Sequence, residues 1–446
     1  MLRRSMFRGS RGFTVVHDCG IISVPIEPIV RIEEAEDTMT SRERARRILN
    51  HLEADRPAID LGATRMSGTS AWSYRALKRE LGIASETVRV FDLYQMLAEV
   101  EEPVLDALGA DFVMLPIEEL PMNLPNGEWE PYTFWDGQTF DVPRGFSPRV
   151  DDDGSLEAEW DRGDDAPYRM RMPHGGRYFD RVPETQTDLF DAPLKPKSEW
   201  KFGRYTDEFL RREQARAQAL FESTERAIVA SPTLGAPQGY GDIYSWAIKM
   251  STEPEHCRDY MMTAAEARAR SMAEYMQAVG EYVDVVNVSG ADYGTQDREV
   301  FRPSLFGEFY TPAWKPVSDA IHQGSDAKVW MHCCGSVPNM IPFFIDAGVD
   351  CLNPVQWTAA GMDLRTLKDS FGDKLVFWGG ACSSQRTLPF GTADDVARET
   401  AEVLAIMAPG GGYVANGIHN ILAEVPPENI AAMYRTAQEY RYAEVR

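Results

Sequence analysis

The chain has 446 residues, an apolar share of 43% and a formal net charge of −23. That is ample material for a large core, which excludes whole-chain disorder. The acidic excess excludes phosphate backbones and anionic membrane surfaces as partners, because both select for Lys and Arg.

Six cysteines are too few at this length for a disulfide scaffold, and two of them are adjacent. Together with the absence of any run of ~18 uninterrupted apolar residues, this points to a soluble protein of the reducing cytoplasm. The opening MLRRSMFRGSRGF is basic, but IISVPIEPIV after it holds two prolines and a glutamate, which makes a poor signal peptide.

In chain order, residues 1–40 form an extension without a clear pattern. SRERARRILNHLE (41–53) is an amphipathic helix opening at Ser41, and RPAIDLGA (56–63) is the first strand. DFVMLPIE (111–118) is the second. Residues 119–205 then break the pattern with Pro, Gly, Asp and aromatics, and with Asp-Gly turns at 136–137 and 153–154. These mark a small antiparallel insertion whose acidic runs form a solvated face or a lid.

The alternation resumes with helix 207–224 and strand RAIVASPT (226–233), then helix 263–279 and strand YVDVVNVSG (282–290). Strands AKVWMHCC (327–334), VDCLNPVQ (349–356) and KLVFWGG (374–380) follow. Helix 392–408, capped by Thr392, and strand GGYVANGI (411–418) close the series. Eight apolar strands alternating with helices predict a (β/α)₈ TIM barrel over 41–446, carrying the 119–205 insertion. A doubly wound sheet would show a Gly-rich phosphate turn after its first strand, and LGATRMSG is not one.

In such a barrel the chemistry sits where strands end. MHCCGS (331–336) and GGACSSQ (379–385) both fall there. Alternation along a strand sends His332 and Cys334 to one side and Cys333 to the other, and the loop of Cys382 is able to supply a third ligand. His332, Cys334 and Cys382 are therefore the expected metal ligands, an N/S set with one open position suited to Zn²⁺. Should the strand end one residue earlier, Cys333 takes the place of Cys334. For Cys19, Cys257, Cys333 and Cys351 plain core packing is the expectation.

SGADYGTQ (289–296) ends another strand, and Asp292 and Gln296 are candidates to orient a substrate or to bond to a metal-bound histidine. Tyr293 is a candidate cofactor contact or pocket lid. In VANGIHNILAEVPPENI (414–430), Asn416 is a candidate cofactor contact, and His419 is a candidate proton donor, a substrate contact or a satisfied loop histidine. The NVS triplet at 287–289 lies inside a core strand and is not read as a glycosylation acceptor.

These segments resemble the uroporphyrinogen decarboxylase superfamily. SRERARRILNHLEADRPAIDL looks like its opening helix and strand, LDALGADFVML like its second-strand region, and ADYGTQ like its D-x-G-T-Q turn. NGIHNILAEVPPENI is similar to its closing motif, although this chain has Ile418, His419 and Asn420 where the decarboxylases carry G-H-G. The H-x-C-G motif with a distant G-G-x-C resembles the zinc site of the methyltransferase branch.

The resemblance implies a zinc-dependent methyltransferase. It would move a methyl group between a corrinoid (cobalamin) and a thiol or methylated small molecule. No D-x-H-x-x-G corrinoid module is present, so the corrinoid is expected on a separate protein, or free. The decarboxylase R-Q-A-G-R opening is missing, which counts against the alternative, a metal-independent decarboxylase of a tetrapyrrole-like carboxylate. A binding protein on a retained barrel is a third reading.

Overall fold

A computed structural model describes residues 39–161, 168–182 and 194–442, together with the backbone of 16–17 and 20–21. Met1–Met39 is one unit, in which Val16–His17 pairs antiparallel with Gly20–Ile21. Cys19 lies outside the described residues. Thr40–Arg446 is the second unit and holds the barrel.

All eight expected strands form. They are β1 (Ala58–Ile59), β2 (Phe112–Met114), β3 (Ala227–Ala230), β4 (Val285–Gly290), β5 (Lys328–His332), β6 (Cys351–Asn353), β7 (Val376–Trp378) and β8 (Tyr413–Ala415). Among the described residues they make one parallel sheet in which β2 to β8 each pair with the next in sequence and β8 returns to β1, leaving β1 and β2 as its two ends. Parallel strands need both faces covered, which is why each reads as a continuous apolar run.

The seam between β1 and β2 is nearly closed by Asp111. Its backbone N–H donates to Ile59 O at 2.7 Å, and its Oδ2 accepts the Ile59 N–H at 2.8 Å. The same buried carboxylate takes Arg44 at 2.8 Å and Arg56 at 2.7 Å.

The insertion follows β2, as expected. Trp129–Thr133 pairs with Thr139–Pro143, and Arg149–Val150, Leu156–Trp160, Tyr168–Met172 and Asp180–Arg181 form a four-stranded antiparallel sheet. The Asp136–Gly137 turn closes the first hairpin, with Gly137 at φ +79°, a conformation that favours glycine. The insertion is held to the barrel at Trp72, on the helix after β1, whose ring packs edge-on to Phe134 and Phe140 with centroids 5.3 and 5.0 Å apart.

The first helix spans Ser41–Leu49, and its cap is Thr40, one residue before the expected Ser41. Only Thr40 has its glutamate three residues on: Thr40 Oγ1 accepts the Glu43 N–H while Glu43 accepts the Thr40 N–H. Thr392 caps its helix in the same way with Asp395.

The barrel lumen decides where the site lies. Its lower part is apolar: Ala58, Phe112, Val229, Val285, Trp330, Cys351, Val376, Trp378 and Val414 form one buried cluster. Two residues further along a strand the side chain returns to the same face. That step leads from Ala58 to Asp60, Val285 to Asn287, Trp330 to His332, Cys351 to Asn353 and Val414 to Asn416. The upper layer of the lumen is thus polar, and it forms the floor of the C-terminal mouth.

Candidate metal centre

His332 ends β5 and is almost fully buried, at 3% exposure. Cys334 stands two residues on, and its Sγ lies 3.2 Å from His332 Nε2. The expected pairing of these two groups on one side of the strand is present. Cys333 points the other way, where its sulfur accepts the Tyr293 N–H at 3.2 Å. It is fully enclosed, in keeping with a packing role.

The third member is His419. Donor atoms of His332, Cys334 and His419 all lie within 4.8 Å of one another, and the two imidazole rings meet edge-on with centroids 5.0 Å apart. His419 comes from the loop after β8. Sequence reasoning left it as a proton donor, a substrate contact or a loop histidine and did not join it to the cluster.

Cys382 is the correction to the expected ligand set. Its thiol is buried and donates to Glu399 Oε1 at 3.1 Å, on the helix Ala393–Met407 outside the barrel. The same Glu399 accepts the Ser383 N–H at 2.6 Å and the Thr387 hydroxyl, so the cysteine belongs to an anchor for the 382–387 loop. The cause is local backbone geometry. After Trp378 the chain passes through Gly379 at φ +93° and Gly380 at φ +80°, which ends the strand alternation and turns Cys382 outward.

Asp292 stands beside the cluster. Its Oδ1 accepts the Cys334 N–H at 2.7 Å and lies 3.6 Å from His332 Nε2. More than half of its side chain faces solvent, so it is open to an incoming molecule. Gln296 is near but committed: it donates to Thr358 O at 2.8 Å and accepts from Gln356 at 3.1 Å, tying loops together above the mouth.

Tyr293 is no lid. It is wholly buried among Phe301, Phe306, Tyr310 and Trp314, and its hydroxyl donates to Gln238. Asn416 is also buried, and its amide donates to Asp60 Oδ2 at 3.0 Å. Two groups were missed by sequence reasoning. Asn353 Oδ1 meets His332 Nδ1 at 2.7 Å, and Asp60 accepts the Trp378 indole N–H at 2.8 Å. Stepping two residues from each lumen position finds both.

The electrostatics follow from burial. Desolvation, and secondarily the Asp292 charge, pushes the Cys334 thiol well above the ordinary thiol range. Burial lowers His332. Burial, reinforced by the neighbouring His332, lowers His419 to about 4. Both imidazoles are neutral near pH 7, the form in which histidine binds a metal.

Fold and site together define a (β/α)₈ barrel with a histidine–cysteine–histidine donor group at its C-terminal mouth. Residues 230–440 match the family model described as uroporphyrinogen decarboxylase (URO-D). Two curated relatives carry the name uroporphyrinogen decarboxylase. One, from Psychromonas ingrahamii, is 33% identical over 84 residues, and one, from Saccharophagus degradans, is 33% identical over 94 residues. These alignments cover 19% and 21% of this chain and span only 22% and 25% of the relatives' length. Among solved structures, a methyltransferase from Methanosarcina mazei has the same fold, with a TM-score of 0.50 and 16% identity over 90% of this chain and 99% of its own.

Proposed function

We propose that this protein is a zinc-dependent methyltransferase that moves a methyl group between a corrinoid and a thiol or methylated small molecule. The observation that carries the proposal is the convergence of His332, Cys334 and His419 within 4.8 Å at the mouth of the barrel. One thiol and two imidazoles form a borderline-soft donor set of the kind Zn²⁺ takes, with a fourth position left for a reactant. The raised thiol pKa of Cys334 fits too, since a half-buried sulfur beside a carboxylate lacks the positive charge that would stabilise its thiolate. Zn²⁺ held there supplies that charge and keeps a bound thiol ionised at neutral pH.

The chain's own groups divide the remaining work. His332 presents Nε2, because Nδ1 is engaged by Asn353. His419 accepts the Asn420 N–H at Nδ1 at 2.7 Å, so it joins a metal by giving up that contact. Asp292, solvent-facing and fixed by the Cys334 N–H, is placed to orient the reactant at the open position. The methyl donor or acceptor enters from the mouth, and a separate corrinoid protein, or free corrinoid, approaches the same face. The second reading, a metal-independent decarboxylase, is favoured by the names of the two curated relatives.

Metal content separates the two. Purified wild-type protein is expected to carry about one Zn²⁺ per chain, lost in Cys334→Ser and His332→Ala, reduced in His419→Ala and kept in Cys382→Ser. A wild type that neither holds nor takes up zinc would overturn the methyltransferase proposal and leave the decarboxylase in front.

A further inference from the structure

Resting on the proposed metal centre, we infer that Asn353 is the positioning residue of the site. It fixes the tautomer and the ring plane of His332, and so makes His332 the permanent nitrogen donor.

The Asn353 amide has two ends in different surroundings. Its Nδ2 donates to Trp378 O at 3.2 Å, on the neighbouring strand β7. A carbonyl oxygen only accepts, so the NH₂ end of the amide must face Trp378 and the oxygen end must face His332. Asn353 Oδ1 lies 2.7 Å from His332 Nδ1, and an amide oxygen only accepts as well. The proton of the neutral ring therefore sits on Nδ1. Nε2 is left with its lone pair, and it is this nitrogen that lies 3.2 Å from Cys334 Sγ.

The arrangement is rigid. Asn353 is 1% exposed, and its own N–H and C=O neighbours are part of the sheet: His332 and Asn353 are register partners on adjacent strands. The amide thus bridges β5 to β7 across β6, and any rotation of the His332 ring breaks a buried hydrogen bond. A ligand histidine whose second nitrogen is held in this way keeps its donor atom aimed without ordering cost on binding.

His419 provides the contrast within the same site. Its Nδ1 accepts the Asn420 N–H, so its neutral ring carries the proton on Nε2. The two imidazoles are held in opposite tautomers by different partners. His332 is ready to ligate, and His419 must rearrange first.

The test uses full-length protein, stripped of metal, with nitrogen-15 NMR of the histidine rings at a pH where both are neutral. Wild type is expected to show His332 as the Nδ1–H tautomer and His419 as the Nε2–H tautomer. Asn353→Ala should leave His332 a mixture of tautomers and weaken Zn²⁺ by about 10- to 100-fold in chelator competition. Asn353→Asp, which keeps an acceptor toward the ring, should restore the tautomer and most of the affinity even where the alanine variant folds poorly. A His332 tautomer in Asn353→Asp and Asn353→Ala equal to wild type, with unchanged zinc affinity, would overturn the inference. So would a wild-type His332 protonated on Nε2. A wild type that shows the Nδ1–H tautomer, loses it in Asn353→Ala, yet takes up no zinc, would sustain the positioning role and refute the metal centre alone.

Discussion

Replacing Asp111 by asparagine tests how the barrel is closed. Four donors converge on this carboxylate: Arg44 at 2.8 Å, Arg56 at 2.7 and 3.1 Å, and the Ile59 N–H at 2.8 Å. The side chain is 0% exposed, and the Arg44 and Arg56 side chains are 9% and 11% exposed. An asparagine supplies one acceptor oxygen where two are needed, and it turns an NH₂ toward donors. One guanidinium or the Ile59 N–H is then left facing another donor; Arg56 loses its carboxylate partner, and Arg44 is left with Asp55 alone.

Breaking a buried ion pair from one side costs about 3–5 kcal/mol. With an unfolding entropy of about 2.1 cal/mol/K per residue over a barrel of this size, that is roughly a 3–6 °C fall in the thermal midpoint. The control is Asp55→Asn. Asp55 pairs with the same Arg44 at 2.6 Å, but 49% of its side chain is in water, and such a pair is worth about 1 kcal/mol or less. Scanning calorimetry at one fixed heating rate compares the two variants with wild type. Equal small shifts for Asp111→Asn and Asp55→Asn would refute the argument that this seam relies on a buried carboxylate.

Three further outcomes are expected. Gly294→Ala should weaken zinc at least about tenfold by chelator competition, because a Cβ there would lie 2.7 Å from both Cys334 O and Ser336 N and push the ligand loop aside; zinc affinity equal to wild type would contradict that close approach. Tyr293→Phe should cost about 1 kcal/mol in urea unfolding by removing the hydrogen bond that its buried hydroxyl donates to Gln238, with zinc content unchanged; loss of zinc would give Tyr293 a role in the site that its burial denies.

In metal-free protein, His419 has a folded pKa of about 4 against 6.5 when unfolded. Between those values the unfolded chain binds more protons, so stability is fully present above pH 6.5 and falls as the pH drops toward 4. The fall is at most about 3 kcal/mol. His419→Gln should flatten this part of the pH–stability curve, and an unaltered slope would show that the group does not titrate in this way.

How far the sequence reaches is visible at single residues. Each barrel strand was legible because a strand covered on both faces is written as an unbroken Val/Ile/Phe/Trp run, and the run has the length of the strand plus its flanks. His332 and Cys334 were legible for the same reason: alternation holds up to the end of β5. It fails beyond the strand, and both errors lie there. Two left-handed glycines reset the direction of Cys382, and the partner it found, Glu399, is seventeen residues on in a helix. Tyr293 sits in a loop whose path is set by contact between Gly294 and the 334–336 backbone, a tertiary fact with no local signature. His419 was seen as a reactive group, but its meeting with His332 depends on how β8 closes against β1, which composition does not encode.

The Asp292 carboxylate beside Cys334 bears on how that sulfur meets reagents from solvent. Oxidants and alkylating agents attack thiolates, and the thiolate fraction of Cys334 is held low by desolvation and by Asp292. Among the described cysteines it is also the one with appreciable exposure, the others being buried. Cys334 is therefore held as the less reactive thiol although it is open to solvent.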